Sequence, residues 1–300
     1  MIIKVGTRGS KLALAQTNYV IDKLKEHYPE HEYQAVVIKT TGDLDLNRPL
    51  DAIGSKGIFV DEIEKALLSG EIQMAVHSMK DMPSVLAEGL IFAKAWERED
   101  PRDVLILKNA KSLKDLKNGA NIATGSKRRS FQLLQLRPDL NICPIRGNID
   151  SRLRKLEEGL SDGTELDGIV LAAAGLRRLG LSEHITEYLD ADAVVPAPAQ
   201  GTLAIELAEK DIELLDMVNS LSDKKTEEAV FLERGFLKAI GGDCHVPVGA
   251  YAEAGDDGYT LIALFGNEDG SRLAKTVVTG KEASFDLIEK AVNEINSRLL

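Results

Sequence analysis

The chain is predicted to be an α/β protein in three parts: two α/β lobes followed by a small C-terminal α+β domain. Three observations predict this. Strand-like and helix-like runs alternate from Ile2 to about Leu207, as in sheets flanked by helices. Two proline-bearing stretches, 97–103 and 195–201, interrupt that rhythm. After Leu221 the pattern changes to a helix, three evenly spaced strand-like runs and a closing helix.

The elements follow in order. Residues 2–7 predict a strand, with Arg8-Gly9-Ser10 as the turn after it. Leu12, Ala15, Val20 and Leu24 then recur at helical spacing, with Ser10 as N-cap, to about Lys25. Residues 33–39 are β-branched and strand-like. Residues 40–57 are long, polar and glycine-bearing, a length at which a connection is usually functional or disordered. A helix over 58–68 and a short strand over 73–76 lead into His77-Ser78-Met79-Lys80-Asp81, and residues 90–95 predict another strand. This alternation argues for a largely parallel sheet with ligands at the strand-to-helix loops. Beyond the first crossing the rhythm repeats: strands over 121–123, 140–145 and 168–172, helices over 126–135 and 149–158, and a helix opening near Ala173. A strand over 203–207 follows the second crossing. The last third predicts a helix over 226–240, antiparallel strands over 248–254, 259–265 and 272–279, and a helix over 284–300.

Composition limits the function classes. With 300 residues, 44% apolar and 28% charged, the chain is long enough for two or three cores. No run reaches the roughly 18 apolar residues of a membrane span, and residues 1–6 do not read as a signal peptide. The two cysteines, Cys143 and Cys244, form neither a disulfide framework nor a metal knuckle. A cytoplasmic enzyme without a metal is therefore expected. The net charge of −11 argues against non-specific nucleic-acid binding.

Against that acidic background, arginines gather in four segments: Arg8 with Ser10; Thr124-Gly125-Ser126-Lys127-Arg128-Arg129; Arg146-Gly147-Asn148 with Arg152; and Arg177-Arg178. Three lie at predicted strand ends, where helix starts attract anions and guanidinium groups pair carboxylates bidentately. A capping serine with a surface basic turn would explain any one of them, and Arg152 could be an i,i+4 helix partner. Together they point to an anionic ligand. Asp81, at the rim of a sheet, could act as a general base or oppose a cation formed during reaction. Its plainer reading is a capping Asp beside a solvated Lys80. Cys244 lies in Gly241-Gly242-Asp243-Cys244-His245-Val246-Pro247, a loop setting that suits a buried structural thiol poorly. The adjacent His245 cannot face it as a base, so a Cys-His hydrolase is disfavoured.

The ordered set of Thr7-Arg8-x-Ser10-x-Leu12-Ala13, Lys56-Gly57-x-Phe59, Val76-His77-Ser78-Met79-Lys80-Asp81-x-Pro83, Ser126-x-Arg128-Arg129, Arg146-Gly147-Asn148 with Arg152, Ala174-Gly175-Leu176-x-Arg178, Gln200-Gly201 and Cys244-x-x-Pro247 resembles the porphobilinogen deaminase (hydroxymethylbilane synthase) family over essentially the full length. The resemblance implies a transferase of haem biosynthesis. It would join four porphobilinogen molecules head to tail, release ammonia at each addition and yield a linear tetrapyrrole. It implies a dipyrromethane cofactor bound through a thioether to Cys244. The two lobes would be periplasmic-binding-protein-like, with the cleft between them. The implied domains are 1–97 with the return segment 196–218, then 98–195, then 219–300 carrying the cysteine. Position by position, Lys80, Asp81, Ser78, Thr124, Ser126, Arg128, Arg129 and Gly147 would hold the cofactor. Arg8, Ser10, Arg146, Arg152, Arg178, Lys56, Phe59 and Gln200 would hold substrate and growing chain. Asp81 would be the catalytic carboxylate. The family also suggests a monomer with no metal, nucleic-acid or membrane partner.

Residues that depart from the commoner family pattern are Ala52 in the loop, Asp243 before the cysteine, and Gly125 and Lys127 around the paired arginines. Two other classes compete: a non-catalytic two-lobed protein capturing a polycarboxylate with Cys244 inert, and an RNA-binding protein using a Lys127–Arg129 surface patch.

Overall fold

A computed structural model describes residues 2–40, 61–242 and 246–299. Within it the chain divides into two compact units, Met1–Glu99 with Thr202–Glu228 and Asp100–Gly201 with Ala229–Leu300. The first part of the chain supplies β1 (Ile2–Thr7), α1 (Lys11–His27), β2 (Glu32–Val37), α2 (Asp61–Ser69), β3 (Met74–Ser78) and β4 (Leu90–Phe92). The second supplies β5 (Asp103–Leu107), β6 (Asn121–Ala123), α3 (Lys127–Leu136), β7 (Asn141–Cys143), α4 (Ile149–Glu158), β8 (Gly168–Ala172), α5 (Ala173–Arg178) and β9 (Glu187–Tyr188). Then come β10 (Leu203–Ala208), α6 (Ile212–Asn219), α7 (Lys224–Ala239), β11 (Val248–Gly255), β12 (Gly258–Gly266), β13 (Leu273–Gly280) and α8 (Phe285–Leu299).

The first unit is a five-stranded sheet in the order β2-β1-β3-β10-β4. Alternation along β3 and β10 sorts their side chains onto two faces, because successive residues of a strand point to opposite sides. Met74, Val76, Leu203, Ile205 and Leu207 pack in one core with Val20, Ile21 and Leu24 of α1. Ala75 lies in another core with Ile63, Ala66 and Leu67 of α2. The second unit holds a five-stranded sheet in the order β7-β6-β8-β5-β9. Here Leu105, Leu107 and Val170 join a core with Leu133, while Val104, Ile106, Ile169 and Leu171 join another with Leu156 and Leu176. Fully burying each such aliphatic side chain contributes about 1.5–3 kcal/mol.

The same unit contains the antiparallel meander β11-β12-β13. One face of the meander packs Ala250, Leu261, Ala263 and Val278 with Leu232 and Phe236 of α7 and Leu287, Ile288 and Ala291 of α8. Ile262 and Leu264 join a second cluster with Val195 from the crossing before β10.

The expected largely parallel arrangement forms with one reversed strand in each five-stranded sheet. Each five-stranded sheet pairs three strands in parallel and adds two antiparallel pairings, through β10 in the first sheet and β5 in the second. The cause is topological. β10 returns to the first sheet only after the chain has built the second, and it runs against both neighbours. β5 opens the second sheet from the opposite direction. The short strand β9 and helix α6 were not anticipated, and neither was β5, hidden behind the charged stretch that ends at Asp103. Among the described residues, no helix is long and apolar enough to cross a membrane.

Candidate active site

In the first unit, the expected residues gather at the ends of β1 and β3. Ser10 keeps an extended backbone, φ −73° and ψ 149°, and its Oγ accepts the Ala13 N–H at 3.2 Å, capping α1. One turn on, the buried Gln16 donates from Nε2 to Ser78 Oγ at 2.9 Å, tying α1 to the last residue of β3. Gln16 escaped the sequence reading. Its signal is position: residues 16–17, 20–21 and 24 form the buried stripe of α1, and a glutamine there is out of character. Beyond Ser78 the chain makes a single 3₁₀ turn, Met79–Asp81. The Met79 N–H donates to Thr202 O at 3.0 Å and the Met82 N–H to Met79 O at 3.2 Å. Met79 and Met82 are buried and Lys80 is half-buried, while Asp81 is exposed. The turn therefore sinks its two methionines and offers the Asp81 carboxylate to solvent or a ligand.

In the second unit, β6 ends at Ala123 and Thr124 starts the turn into α3. Thr124 Oγ1 accepts the Ser126 N–H at 3.2 Å, and Ser126 caps α3 by accepting from the Arg129 N–H at 3.5 Å. Gly125 lets this turn approach the next one, since a Cβ there would sit 2.9 Å from Ile145 O. Arg128 and Arg129 point inward from the first turn of α3, each only 6% exposed. Both converge on Asp103, the first residue of β5. Arg128 Nη1 donates to Asp103 Oδ2 and to Val195 O, both at 2.7 Å. Arg129 donates to Asp103 Oδ1 from Nη2 at 2.7 Å and from Nε at 3.1 Å, and to Val170 O at 3.2 Å. Gln200 Nε2 adds a bond to the same Oδ1 at 2.9 Å.

Asp103 has no exposed surface. Burial by itself pushes its carboxyl up, but the charges and hydrogen bonds of Arg128 and Arg129 outweigh burial and hold it well below the usual carboxylate range. Arg128 is pulled below the ordinary arginine value, first by its own burial and then by Arg129, with Asp103 opposing. Two guanidinium groups against one carboxylate leave this trio one positive charge in excess. That excess suits a carboxylate-bearing ligand. Because Arg128 and Arg129 are buried, the Lys127–Arg129 surface patch that the RNA-binding alternative invokes is not formed. Lys127 turns outward and pairs with Glu268 at 2.9 Å.

The loop after β7 repeats the arrangement. Arg146 and Gly147 are exposed, and Gly147 adopts φ +110°, where a Cβ would lie 2.1 Å from Ser151 Oγ. Only glycine suits that position. Asn148 caps α4 by accepting the Ser151 N–H at 2.9 Å. Arg152 Nε donates to Gly147 O at 2.8 Å, and Lys155 Nζ reaches Arg146 O at 3.0 Å. Of the last pair, Arg178 Nη2 donates to Gly201 O at 2.6 Å and Arg177 lies 3.6 Å from Asp100.

The crossing that carries Gln200 is tightly held. Ala199 has φ 58°, the one positive-φ non-glycine residue among the described residues, next to Gly201 at φ 92°. A left-handed alanine costs roughly 1–2 kcal/mol. The fully buried Glu233 offsets this by accepting the Ala199 N–H at 2.6 Å and the Ala252 N–H at 2.8 Å. Arg8 is half-buried at the end of β1. Lys56, Phe59 and Cys244, with Ala52 and Asp243, lie outside the described residues. No group of three or more His, Cys, Asp or Glu residues among those described could hold a metal ion.

Comparison with known proteins bears on the same features. The family described as "Porphobilinogen deaminase, dipyromethane cofactor binding domain" matches residues 3–216, and "Porphobilinogen deaminase, C-terminal domain" matches residues 227–297. The chain is 57% identical to the porphobilinogen deaminase of Lachnospira eligens over 94% of its own length and 95% of that protein. It is 52% identical to that of Clostridioides difficile, covering 95% and 93%, and 49% identical to that of Bacillus subtilis, covering 93% and 88%. Among solved structures it is similar to the methionine-binding protein MetQ, with TM-score 0.44 and 16% identity, covering 73% of this chain and 89% of that one. Matched by both family domains and by these relatives over nearly its whole length, the chain belongs to the porphobilinogen deaminase family.

Proposed function

We propose that this chain is a cytoplasmic, monomeric transferase that joins four porphobilinogen molecules head to tail into hydroxymethylbilane, with loss of ammonia at each addition. The observation that carries the reading is the buried Arg128–Arg129–Asp103 trio with its unmatched positive charge. A porphobilinogen unit carries an acetate and a propionate, so a chain of six rings brings about a dozen carboxylates, which charge-assisted guanidinium bonds suit well. A dipyrromethane held by Cys244 would offer a free pyrrole carbon as the nucleophile for coupling.

The chain's own residues then divide the work. Arg128 and Arg129, with Thr124, Ser126, Ser78, Lys80 and Gly147, hold the cofactor's carboxylates and rings. Arg146 and Arg152, with Arg8, Ser10, Arg178, Gln200, Lys56 and Phe59, hold the incoming unit and growing chain. Asp81 accepts pyrrole N–H bonds and opposes the positive charge that develops on the substrate as ammonia departs, which lowers the barrier because the charge is absent before the reaction. The division into 1–97 with 196–218, 98–195 and 219–300 belongs to the same proposal, and the presence of three separate sheets supports it.

The test is ammonia release and tetrapyrrole formation by purified chain given porphobilinogen. Catalytic release of four ammonia per tetrapyrrole is expected. Stoichiometric binding of porphobilinogen without ammonia would instead favour the non-catalytic binder. In the same assay, Arg146→Leu is expected to keep Cys244 loaded with cofactor while cutting chain extension at least tenfold. Accumulation of unloaded protein would contradict the assignment of Arg146 to substrate.

A further inference from the structure

The sheet of the first unit contains a buried polar pair that core packing does not explain. His77 Nε2 lies 3.1 Å from Glu206 Oε2, with side chains 6% and 0% exposed. The register explains how they meet. His77 sits opposite Ala204, and Glu206 opposite Ala75. Each polar side chain thus faces an alanine, and the two reach each other diagonally over the small residues. Glu206 Oε1 has no hydrogen-bond partner among the described residues. On α2, Glu64 faces the same pair. Burial, then the charges of Glu206 and Asp61, push its carboxyl up, while His77 pulls it down.

A buried pair of this kind is weak evidence for stability, since apolar residues of similar volume are often as good or better. Its position suggests another use. His77 is the residue before Ser78, and the strand end that carries Lys80 and Asp81 is then held three ways. Gln16 bonds Ser78 from the α1 side, Glu206 bonds His77 from the α2 side, and Thr202 O accepts the Met79 N–H in the plane of the sheet. Two of the three partners, Thr202 and Glu206, belong to β10 or the residue before it, the segment returning from the second crossing.

We infer that His77 and Glu206 are positioning residues for Asp81: their hydrogen bond locks β10 to β3 and sets where the Met79–Asp81 turn presents its carboxylate. This rests on the reading of Asp81 as the carboxylate at the reacting centre. The test compares the cofactor-loaded enzyme with the double variant His77→Leu/Glu206→Leu, with Glu206→Gln and with Asp81→Ala. Cofactor loading, thermal midpoint, kcat and KM for porphobilinogen are measured for each.

The double variant is expected to load cofactor and melt within a few degrees of the parent, yet lose at least tenfold in kcat with KM changed less than threefold. Glu206→Gln keeps an acceptor for His77 and is expected to recover most of that loss. A double variant with parental kcat overturns the inference, as does a loss of kcat that tracks a loss of stability in both variants. If the double variant does not fold, Glu206→Leu alone is read by the same criteria, and failure of both to fold assigns the pair a purely structural role. Parental kcat in Asp81→Ala would instead overturn the Asp81 reading itself, leaving the two failures distinguishable.

Discussion

Asp81→Ala is expected to lower kcat by about 10²–10³-fold, the scale seen when one group aimed at a developing charge is removed. KM for porphobilinogen should change little, because the arginines and Ser10 carry ground-state binding. The structural reason is the contrast within one turn. Met79 and Met82 are buried and fix the backbone, so truncating the exposed Asp81 side chain leaves no cavity. Stability should therefore hold within about 0.5 kcal/mol, as for surface substitutions generally. Loading of Cys244 should persist. Steady-state kinetics on loaded protein check this, and a kcat within threefold of the parent would show that another group opposes the developing charge.

The second large effect falls on stability. Asp103→Asn is expected to cost about 3–5 kcal/mol, the range for removing one partner of a buried ion pair. It leaves Arg128 and Arg129, each 6% exposed, without the carboxylate both contact. Urea unfolding would measure the loss, and a change below 1 kcal/mol would mean the trio is solvated or otherwise compensated. The same carboxylate sets a pH dependence. Its folded-state pKa is depressed, so the unfolded chain binds its proton more readily. The contribution is complete above about pH 4, the ordinary carboxylate value, and is lost as pH falls through the lower folded-state value. The variant should therefore lose less stability than the parent on acidification below pH 4.

Much of this was legible in the chain because it is local. The strands Asn121–Ala123 and Gly168–Ala172 and the helix Ile149–Glu158 lie where periodicity puts them, and Ser10 caps the helix it was expected to cap, while Ser126 also takes the capping role that was its plainer reading. What was not legible depends on distant partners. The reversal of β10 within its sheet was not legible, because β10 pairs with β3 only after the chain has built another sheet, so nothing near residue 203 reveals which way it will run. His77 and Glu206 meet across 129 residues of sequence. Asp103 was passed over as the end of a charged linker. Yet a single carboxylate opening the run Val104-Leu105-Ile106-Leu107 must be buried with it, and a buried carboxylate needs cations. Arg128 and Arg129 were singled out as cofactor ligands without that partner, which the fold supplies from 25 and 26 residues away.

The central claim is that Cys244 carries a two-pyrrole group whose acid side chains the gathered arginines neutralise. Intact mass spectrometry of freshly purified, denatured protein tests it most directly. A single species heavier than the polypeptide by one dipyrromethane is expected, with the added mass absent from Cys244→Ser. Unmodified protein at the polypeptide mass, or an adduct that persists in Cys244→Ser, would contradict it.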